Sequence, residues 1–132
     1  MDVRTVFPCD ASSVGAARRM VKGELAGGIG RSAAGAELVE AASLLLSELV
    51  TNSIVHARTD IEVRLIADEH MVRAEVSDGN PTVPSTRRSH ELAGTGRGLQ
   101  LMEQLATRWG VSASGVGKTV WFELALAAHA TG

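Results

Sequence analysis

Residues 36–57 read AELVEAASLLLSELVTNSIVHA and carry apolar side chains at helical spacing. At about 100° per residue, a helix over this stretch has an apolar face and a polar stripe. The apolar positions are Leu38, Ala41, Ala42, Leu45, Leu49 and Val55, and the polar stripe is Glu40, Ser43, Ser47 and Thr51. Glu48, Asn52 and His56 fall among the apolar positions, so we expect them on the buried face of the helix.

Three inward polar side chains in successive helical turns need an explanation. A buried carboxylate or amide costs several kcal/mol unless another group satisfies it. One explanation is a ligand or metal cavity above this face of the helix. The other is that backbone groups satisfy Glu48 and Asn52 while His56 packs in the core. The segments that follow in the sequence decide between the two.

The composition bounds the class of protein. The chain has 132 residues, enough for one domain with a genuine core, and we assign residues 1–132 to a single domain. An apolar fraction of 45% and a charged fraction of 21% are ordinary for a soluble globular protein. The net charge of −2 argues against nucleic acid as the main partner.

Cysteine usage and hydropathy indicate a cytoplasmic protein. Cys9 is the sole cysteine, so no intramolecular disulfide can form and a cysteine-based metal site is not expected. The N-terminal sequence MDVRTVF lacks the basic start and long apolar stretch of a signal peptide. No uninterrupted run reaches the roughly 18 apolar residues that span a bilayer. We therefore expect a cytoplasmic location and no membrane partner.

The remaining periodicities predict two further helices, five strands and a polar loop. In chain order they are strand Val3–Phe7, helix Ala11–Leu25, strands Ile61–Ala67 and Met71–Asp78, loop Asn80–Thr95, helix Gly96–Thr107, and strands Trp109–Ala113 and Thr119–Leu126. The short connection at Asp68–His70 makes the second and third strands an antiparallel hairpin. Helices early in the chain followed by mostly antiparallel strands indicate an α+β two-layer sandwich.

Four segments then carry residues suited to one chemistry, the binding of a nucleotide. They are Glu48-x-x-x-Asn52-x-x-x-His56 on the long helix, Val76-Ser-Asp78-Gly79 at a strand end, Gly94-Thr95-Gly96-Arg97-Gly98-Leu99 before a helix, and Gly117-Lys-Thr119-Val-Trp in the last strand. The amide oxygen of Asn52 is a hard ligand of the kind that Mg²⁺ prefers. Glu48, one turn earlier, can polarise a water or an incoming hydroxyl.

The sequence also contains groups suited to the base and to the phosphates of a nucleotide. Asp78 can accept a hydrogen bond from an exocyclic amine such as that of adenine, or it can simply start a turn before Gly79. The glycines of residues 94–98 would expose backbone N–H groups to phosphates near a helix N-terminus. The hydroxyl of Thr119 could join the base-recognition end.

Two common nucleotide-binding motifs are excluded by spacing. A P-loop needs a glycine five residues before the Gly117-Lys118 pair, but that position is Ser112. A dinucleotide fingerprint needs a third glycine where Leu99 stands.

The order of the four segments resembles the GHKL ATPase superfamily, which includes gyrase, heat-shock chaperone, histidine kinase and mismatch-repair ATPase domains. SELVTNSIVHA (47–57) looks like its N box, VSDGNP (76–81) its first Gly box, GTGRGL (94–99) its second and GKTVW (117–121) its third. The resemblance covers roughly Leu38 to Leu126. Since the 132 residues hold no phosphoacceptor-histidine helix domain and no transducer domain, the chain looks most like the stand-alone anti-sigma-factor serine kinases, particularly the small regulatory ATP-binding proteins of actinobacteria.

The resemblance implies a Bergerat fold, a mixed and mostly antiparallel sheet backed by helices with ATP between them. It also implies that Glu48 is the catalytic carboxylate, that Asn52 is the Mg²⁺ ligand and that Asp78 binds the adenine amine. The nucleotide-binding residues carried over from the boxes are Asn52, His56, Asp78, Gly79, Gly94, Thr95, Gly96, Arg97, Gly98, Leu99 and Thr119. One departure is that the first Gly box usually reads Asp-x-Gly-x-Gly, whereas Asn80 and Thr82 stand at the two glycine positions here.

Two functions remain open at this stage. The resemblance implies an ATP-dependent protein serine kinase that phosphorylates an anti-sigma antagonist, binds a sigma factor, and is compatible with a homodimer. The alternative is a non-catalytic module that binds a sigma factor or another regulator, with the nucleotide as a conformational ligand or absent. An inward Glu48 favours the kinase, and the altered first Gly box favours the binding module.

Overall fold

The computed structural model describes residues 1–80 and 97–126, without the side chains of residues 97–99. Five strands, three α-helices and a short 3-10 helix at Ile29–Arg31 make up this part of the chain. The strands are β1 (Asp2–Phe7), β2 (Ile61–Ala67), β3 (Met71–Asp78), β4 (Arg108–Ser114) and β5 (Gly117–Ala125), and the α-helices are α1 (Ser12–Leu25), α2 (Ala33–His56) and α3 (Arg97–Leu105). The predicted loop at 80–95 lies, apart from Asn80, outside the described residues.

The five strands form one sheet in the spatial order β1-β2-β3-β5-β4. Each neighbouring pair of these strands is antiparallel, where the resemblance led us to expect a mixed sheet. Alternate residues along β2 and β3 are buried against the helices, as the period-2 pattern of the sequence predicted. The α+β two-layer architecture is therefore confirmed.

Helix α2 is the centre of the helical layer. It packs against α1 and α3 and against β2, β3 and β5, and Leu45, Leu46 and Val50 are fully buried. Ser32 caps its first turn by accepting the N–H of Gly35 at 2.9 Å. By length and composition alone α2 could cross a membrane. However, 56% of its most apolar 18-residue window is buried inside this fold, as expected of a core helix.

The polar stripe predicted for α2 is wrong at two of its four positions. Ser43 and Ser47 are buried, and the Ser47 hydroxyl donates to the carbonyl oxygen of Leu44 at 2.8 Å, which satisfies it within the helix. Leu44 is instead 44% exposed. Glu48, Asn52 and His56 follow Leu44 at four-residue spacing and are half-buried. The expectation that they face the core is therefore corrected: they lie at the margin of the buried face.

A ladder of ion pairs crosses the outer face of the sheet, the face directed away from α2. Glu123 in β5 is the most buried member of this ladder, with a side chain 8% exposed. Arg73 in β3 donates to it at 2.7 Å, and Arg108 in β4 donates to its other oxygen. The ladder continues through Glu75 and Arg64 to Asp2 in β1, so it joins all five strands.

Candidate functional site

The carboxylate of Asp78 lies at the end of β3 and is almost completely buried, with 1% of the side chain exposed. Four hydrogen-bond contacts from the described residues reach it. Its Oδ2 accepts from the Ser53 hydroxyl of α2 at 2.8 Å, and its Oδ1 accepts from the backbone N–H of Asn80 at 2.9 Å. The Lys118 ammonium lies 2.9 Å from both oxygens. An ionised carboxylate has about four acceptor positions, so this one is saturated.

The start of β5 brings Lys118 to this carboxylate. Asp78 and Lys118 are direct partners in the β3–β5 register. The two backbones approach closely here, since a Cβ on Gly117 would lie 2.2 Å from the carbonyl oxygen of Asp78. A glycine at residue 117 is therefore required for the strands to close around the ion pair.

The turn after α2 is tied to the end of β3, which fixes Asp78 against the helix. Arg58 ends the helix in the left-handed region, with φ of 57°. Next to it, Thr59 Oγ1 accepts the N–H of Gly79 at 2.8 Å. The side-chain amide of Asn80 donates to the carbonyl oxygen of His56 at 3.3 Å. Asn80 thus stands where the family pattern has a glycine, and it serves as a capping group for the last turn of α2.

Two polar atoms of α2 are buried and have no hydrogen-bond partner within the described residues, Asn52 Oδ1 and His56 Nε2. Buried polar atoms are nearly always satisfied, so each of the two indicates a partner outside the described residues, for which a ligand, an ion or a water is suited. Glu48 precedes Asn52 by one turn on the same row, and Ser53 directly after Asn52 contacts Asp78. One stretch of α2 therefore carries both orphan atoms and the helix side of the Asp78 cluster.

The electrostatics of this region are set by burial and by Lys118. Burial and then the nearby Lys118 ammonium lower the pKa of His56 below its ordinary 6.5. The ring is therefore neutral at pH 7, and its unpartnered Nε2 is available either to accept a hydrogen bond or, in the other tautomer, to donate one.

Thr119 lies on the opposite face of the sheet from Asp78. Its hydroxyl forms a 2.7 Å hydrogen bond with that of Ser77, its register partner in β3. Successive residues of a strand point to opposite faces, so Lys118 faces the helices and Thr119 does not. The expected position of Thr119 beside the base end is corrected, and Lys118 occupies that position. Lys118 was assigned no role from sequence patterns, because only the strand register reveals its partner.

The second Gly box is not part of the described site. Gly94, Thr95 and Gly96 lie outside the described residues. Arg97, Gly98 and Leu99 belong to the first turn of α3, as the sequence predicted for a helix opening, but their side chains are not described. Gly79, which follows Asp78, donates its N–H to Thr59 Oγ1.

The residues present fit Mg²⁺ held by one protein ligand. No group of three or more His, Cys, Asp or Glu side chains suited to a metal occurs within residues 1–80 and 97–126. The orphan Asn52 Oδ1 is a hard oxygen donor. Mg²⁺ is commonly bound through one or two protein oxygens, with substrate phosphates and waters completing its shell. A buried carboxylate, a neutral histidine and a free amide oxygen are thus gathered on one side of α2.

Comparison with protein families gives one match over most of the chain. The sequence model of the family described as "Histidine kinase-like ATPase domain" matches residues 7–124. The α+β sheet-and-helix architecture is consistent with the Bergerat fold. A comparison with curated proteins finds no match.

Proposed function

This chain belongs to the family of histidine kinase-like ATPase domains, and we propose that it binds Mg·ATP beside α2 and transfers the γ-phosphoryl group to a serine of a partner protein. The partner would be an anti-sigma antagonist, and the same chain would bind a sigma factor, both in the cytoplasm. The family match supports ATP binding and kinase-like chemistry, and the four ordered boxes of the sequence support the serine-kinase type.

The orphan Oδ1 of Asn52 is the observation that carries the proposal. A buried amide oxygen without a partner costs about 1–3 kcal/mol, and a structural asparagine at this place would be satisfied by a neighbour. Asn52 is not satisfied within the described residues. A bound cation is the partner that its chemistry fits best.

Three parts of the site would have separate roles in phosphoryl transfer. Asn52 would hold Mg²⁺, which supplies positive charge to the phosphates. Glu48 would take the proton of the serine hydroxyl as the new oxygen–phosphorus bond forms and ADP leaves. Asp78 and its cluster would orient the base at the far end. Positioning provides most of the rate enhancement in such transfers, so the rigid attachment of Asp78 to α2 matters directly.

A non-catalytic regulator-binding module is the second candidate, and a specific observation favours it. All four acceptor positions of Asp78 are filled by Ser53, Lys118 and Asn80. A site whose base-reading carboxylate is fully occupied by the chain itself could serve as structure alone.

Transfer to protein serine distinguishes the two candidates. The chain is incubated with Mg²⁺, γ-labelled ATP and purified candidate antagonists from its own genome, and phosphoserine is measured. The kinase predicts label on one antagonist, reduced at least about a hundredfold in Glu48→Gln. Glu40→Gln, an exposed change on the same helix, is the matched control and keeps the activity. ATP binding without transfer to any antagonist would establish the binding module instead.

A further inference from the structure

Lys118 has no role of its own in the function proposed so far, yet it is a deeply placed cation beside Asp78. Its side chain is only 10% exposed. A lysine ammonium has three N–H donors, and all three have acceptors here: both oxygens of Asp78 at 2.9 Å and the carbonyl oxygen of Asn80 at 3.3 Å. A buried charge of this kind is retained only where its pairing is good.

Because all acceptor positions of Asp78 are filled, a base can bind to this carboxylate only if one of the present donors moves away. An incoming amine needs an acceptor position on the carboxylate, and none is vacant. Asn80 donates through its backbone N–H, which is fixed by the turn. Ser53 donates through a short side chain on a packed helix. Lys118 alone reaches Asp78 through a long flexible stem, so one of its three N–H groups can turn away while another keeps the ion pair.

A lysine N–H that leaves Asp78 needs a new acceptor, and adenine offers one. The exocyclic amine of adenine lies beside ring nitrogens, N1 on one side and N7 on the other, and both accept hydrogen bonds. When the amine donates to Asp78, one of these nitrogens is carried next to it. The exchange breaks one Lys118–Asp78 hydrogen bond and forms two bonds to the base.

We propose that Lys118 is a specificity-determining residue of the base site, which donates to a purine ring nitrogen while Asp78 accepts from the adjacent amine. The inference rests on the proposed nucleotide binding and deepens it. The pair selects a base whose edge presents a donor directly beside an acceptor.

ADP analogues that lack a ring nitrogen or the exocyclic amine test this proposal. Dissociation constants are measured with Mg²⁺ for ADP, 1-deaza-ADP, 7-deaza-ADP and purine riboside diphosphate, none of which can donate a γ-phosphoryl group. Loss of one charge-assisted hydrogen bond predicts that the wild type binds one of the two deaza analogues about tenfold more weakly than ADP. Purine riboside diphosphate, which lacks the amine, should also bind more weakly, because it cannot donate to Asp78.

Lys118→Met should abolish the discrimination against that deaza analogue, bringing its dissociation constant level with that of ADP. It should keep the discrimination against purine riboside diphosphate. Lys22→Met, on the exposed side of α1, is the matched control and should keep the wild-type ratios. Since Lys118→Met leaves Asp78 without its cation, its folding is checked by circular dichroism. The double variant Asp78→Asn/Lys118→Met, which removes both charges, is measured beside it and should show the same loss of deaza discrimination.

The possible results distinguish failure of nucleotide binding from failure of the role proposed for Lys118. If the wild type binds neither ADP nor ATP, the proposed function fails and the reading of Lys118 fails with it. If the wild type binds ADP and both deaza analogues equally well, nucleotide binding stands and the role of Lys118 is overturned, with no variant needed. Unchanged discrimination in a folded Lys118→Met would overturn it as well.

Discussion

The hydroxyl of Ser53 in α2 donates to Oδ2 of Asp78 in β3 at 2.8 Å, across 25 residues of sequence. Ser53 directly follows Asn52, whose Oδ1 is an orphan. A single turn of α2 therefore fixes the carboxylate proposed to read the base and presents the proposed metal ligand. The two ends of the proposed nucleotide site are held in register by this one turn.

Ser53→Ala should lower stability and change nucleotide affinity together. It removes a donor from a buried carboxylate, which costs about 1–3 kcal/mol. Urea denaturation measures the loss, and calorimetric titration with Mg·ADP measures the affinity. Ser77→Ala, which removes a hydroxyl on the outer face of the sheet, is the control and should leave the affinity unchanged. Equal affinities in wild type and Ser53→Ala would show that the bond has no part in binding.

His56 should titrate below pH 6.5, because burial and Lys118 lower its pKa. Between the folded-state pKa and 6.5 the unfolded chain binds more protons. The unfolding free energy therefore rises with pH through this window, and this contribution is lost as the pH falls. An NMR titration of the His56 ring measures the folded-state value, and Lys118→Met should raise it. A His56 pKa of 6.5 or above in the wild type would contradict the burial of this ring beside Lys118.

Gly117→Ala should destabilise the fold and loosen the ion pair. Its Cβ would meet the Asp78 carbonyl oxygen at 2.2 Å, so β3 and β5 must separate locally, at a cost of about 1–3 kcal/mol. Gly115→Ala, two residues earlier in the β4–β5 turn, meets no atom within 4 Å and is the matched control. It should change the unfolding free energy by no more than about 0.5 kcal/mol. Equal effects of the two substitutions would refute the close approach.

Glu123→Gln should cost about 1–3 kcal/mol at pH 7, because it weakens two charge-assisted hydrogen bonds from Arg73 and Arg108. Burial alone would raise the pKa of Glu123, but these two bonds lower it below 4.5. These two bonds therefore contribute fully to the unfolding free energy above pH 4.5, and this contribution is lost as the pH falls through the folded-state pKa of Glu123. The difference between variant and wild type should shrink in acid.

Glu62→Gln provides the comparison for this prediction. Its pair with Arg4 is 3.9 Å long and largely exposed, so at most about 0.5 kcal/mol is expected from it. Urea denaturation of both variants at pH 7 and at pH 3 separates the two cases. A cost for Glu123→Gln that is independent of pH would show that the ladder does not act through its charges.

Local sequence patterns were sufficient to predict which segments form the five strands and the three α-helices that the structure describes. Ile61–Ala67 and Met71–Asp78 were predicted at the bounds observed, because strict alternation and a short connection leave little freedom of register. The buried serines of α2 were not predicted, since a helical hydroxyl can bond to a preceding carbonyl oxygen and then behaves as a small apolar group. Leu44, which no prediction placed at the surface, is 44% exposed.

The site was predicted where its residues share an element and missed where they do not. Asn52 and His56 lie on one helix, so spacing alone placed them together. Lys118 meets Asp78 across 40 residues, through a register that no local pattern encodes. The neighbouring Thr119 was chosen in its place because the sequence does not say which face of the last strand is covered by helices. Ser53 was overlooked because its hydroxyl bonds to Asp78, which lies 25 residues away in the sequence.

A thermal-shift measurement with Mg·ATP, on wild type and Asn52→Ala side by side, shows whether the chain binds the nucleotide and whether Asn52 holds its metal. Without ligand the two proteins should melt at similar temperatures, or the variant slightly higher, because the substitution removes an unsatisfied buried acceptor. With ligand at about a hundred times its dissociation constant, the wild type should gain roughly 2.7 kcal/mol and melt visibly higher. The variant should gain little. An equal shift in both proteins would contradict the assignment of Asn52 to the metal, and no shift in either would contradict nucleotide binding itself.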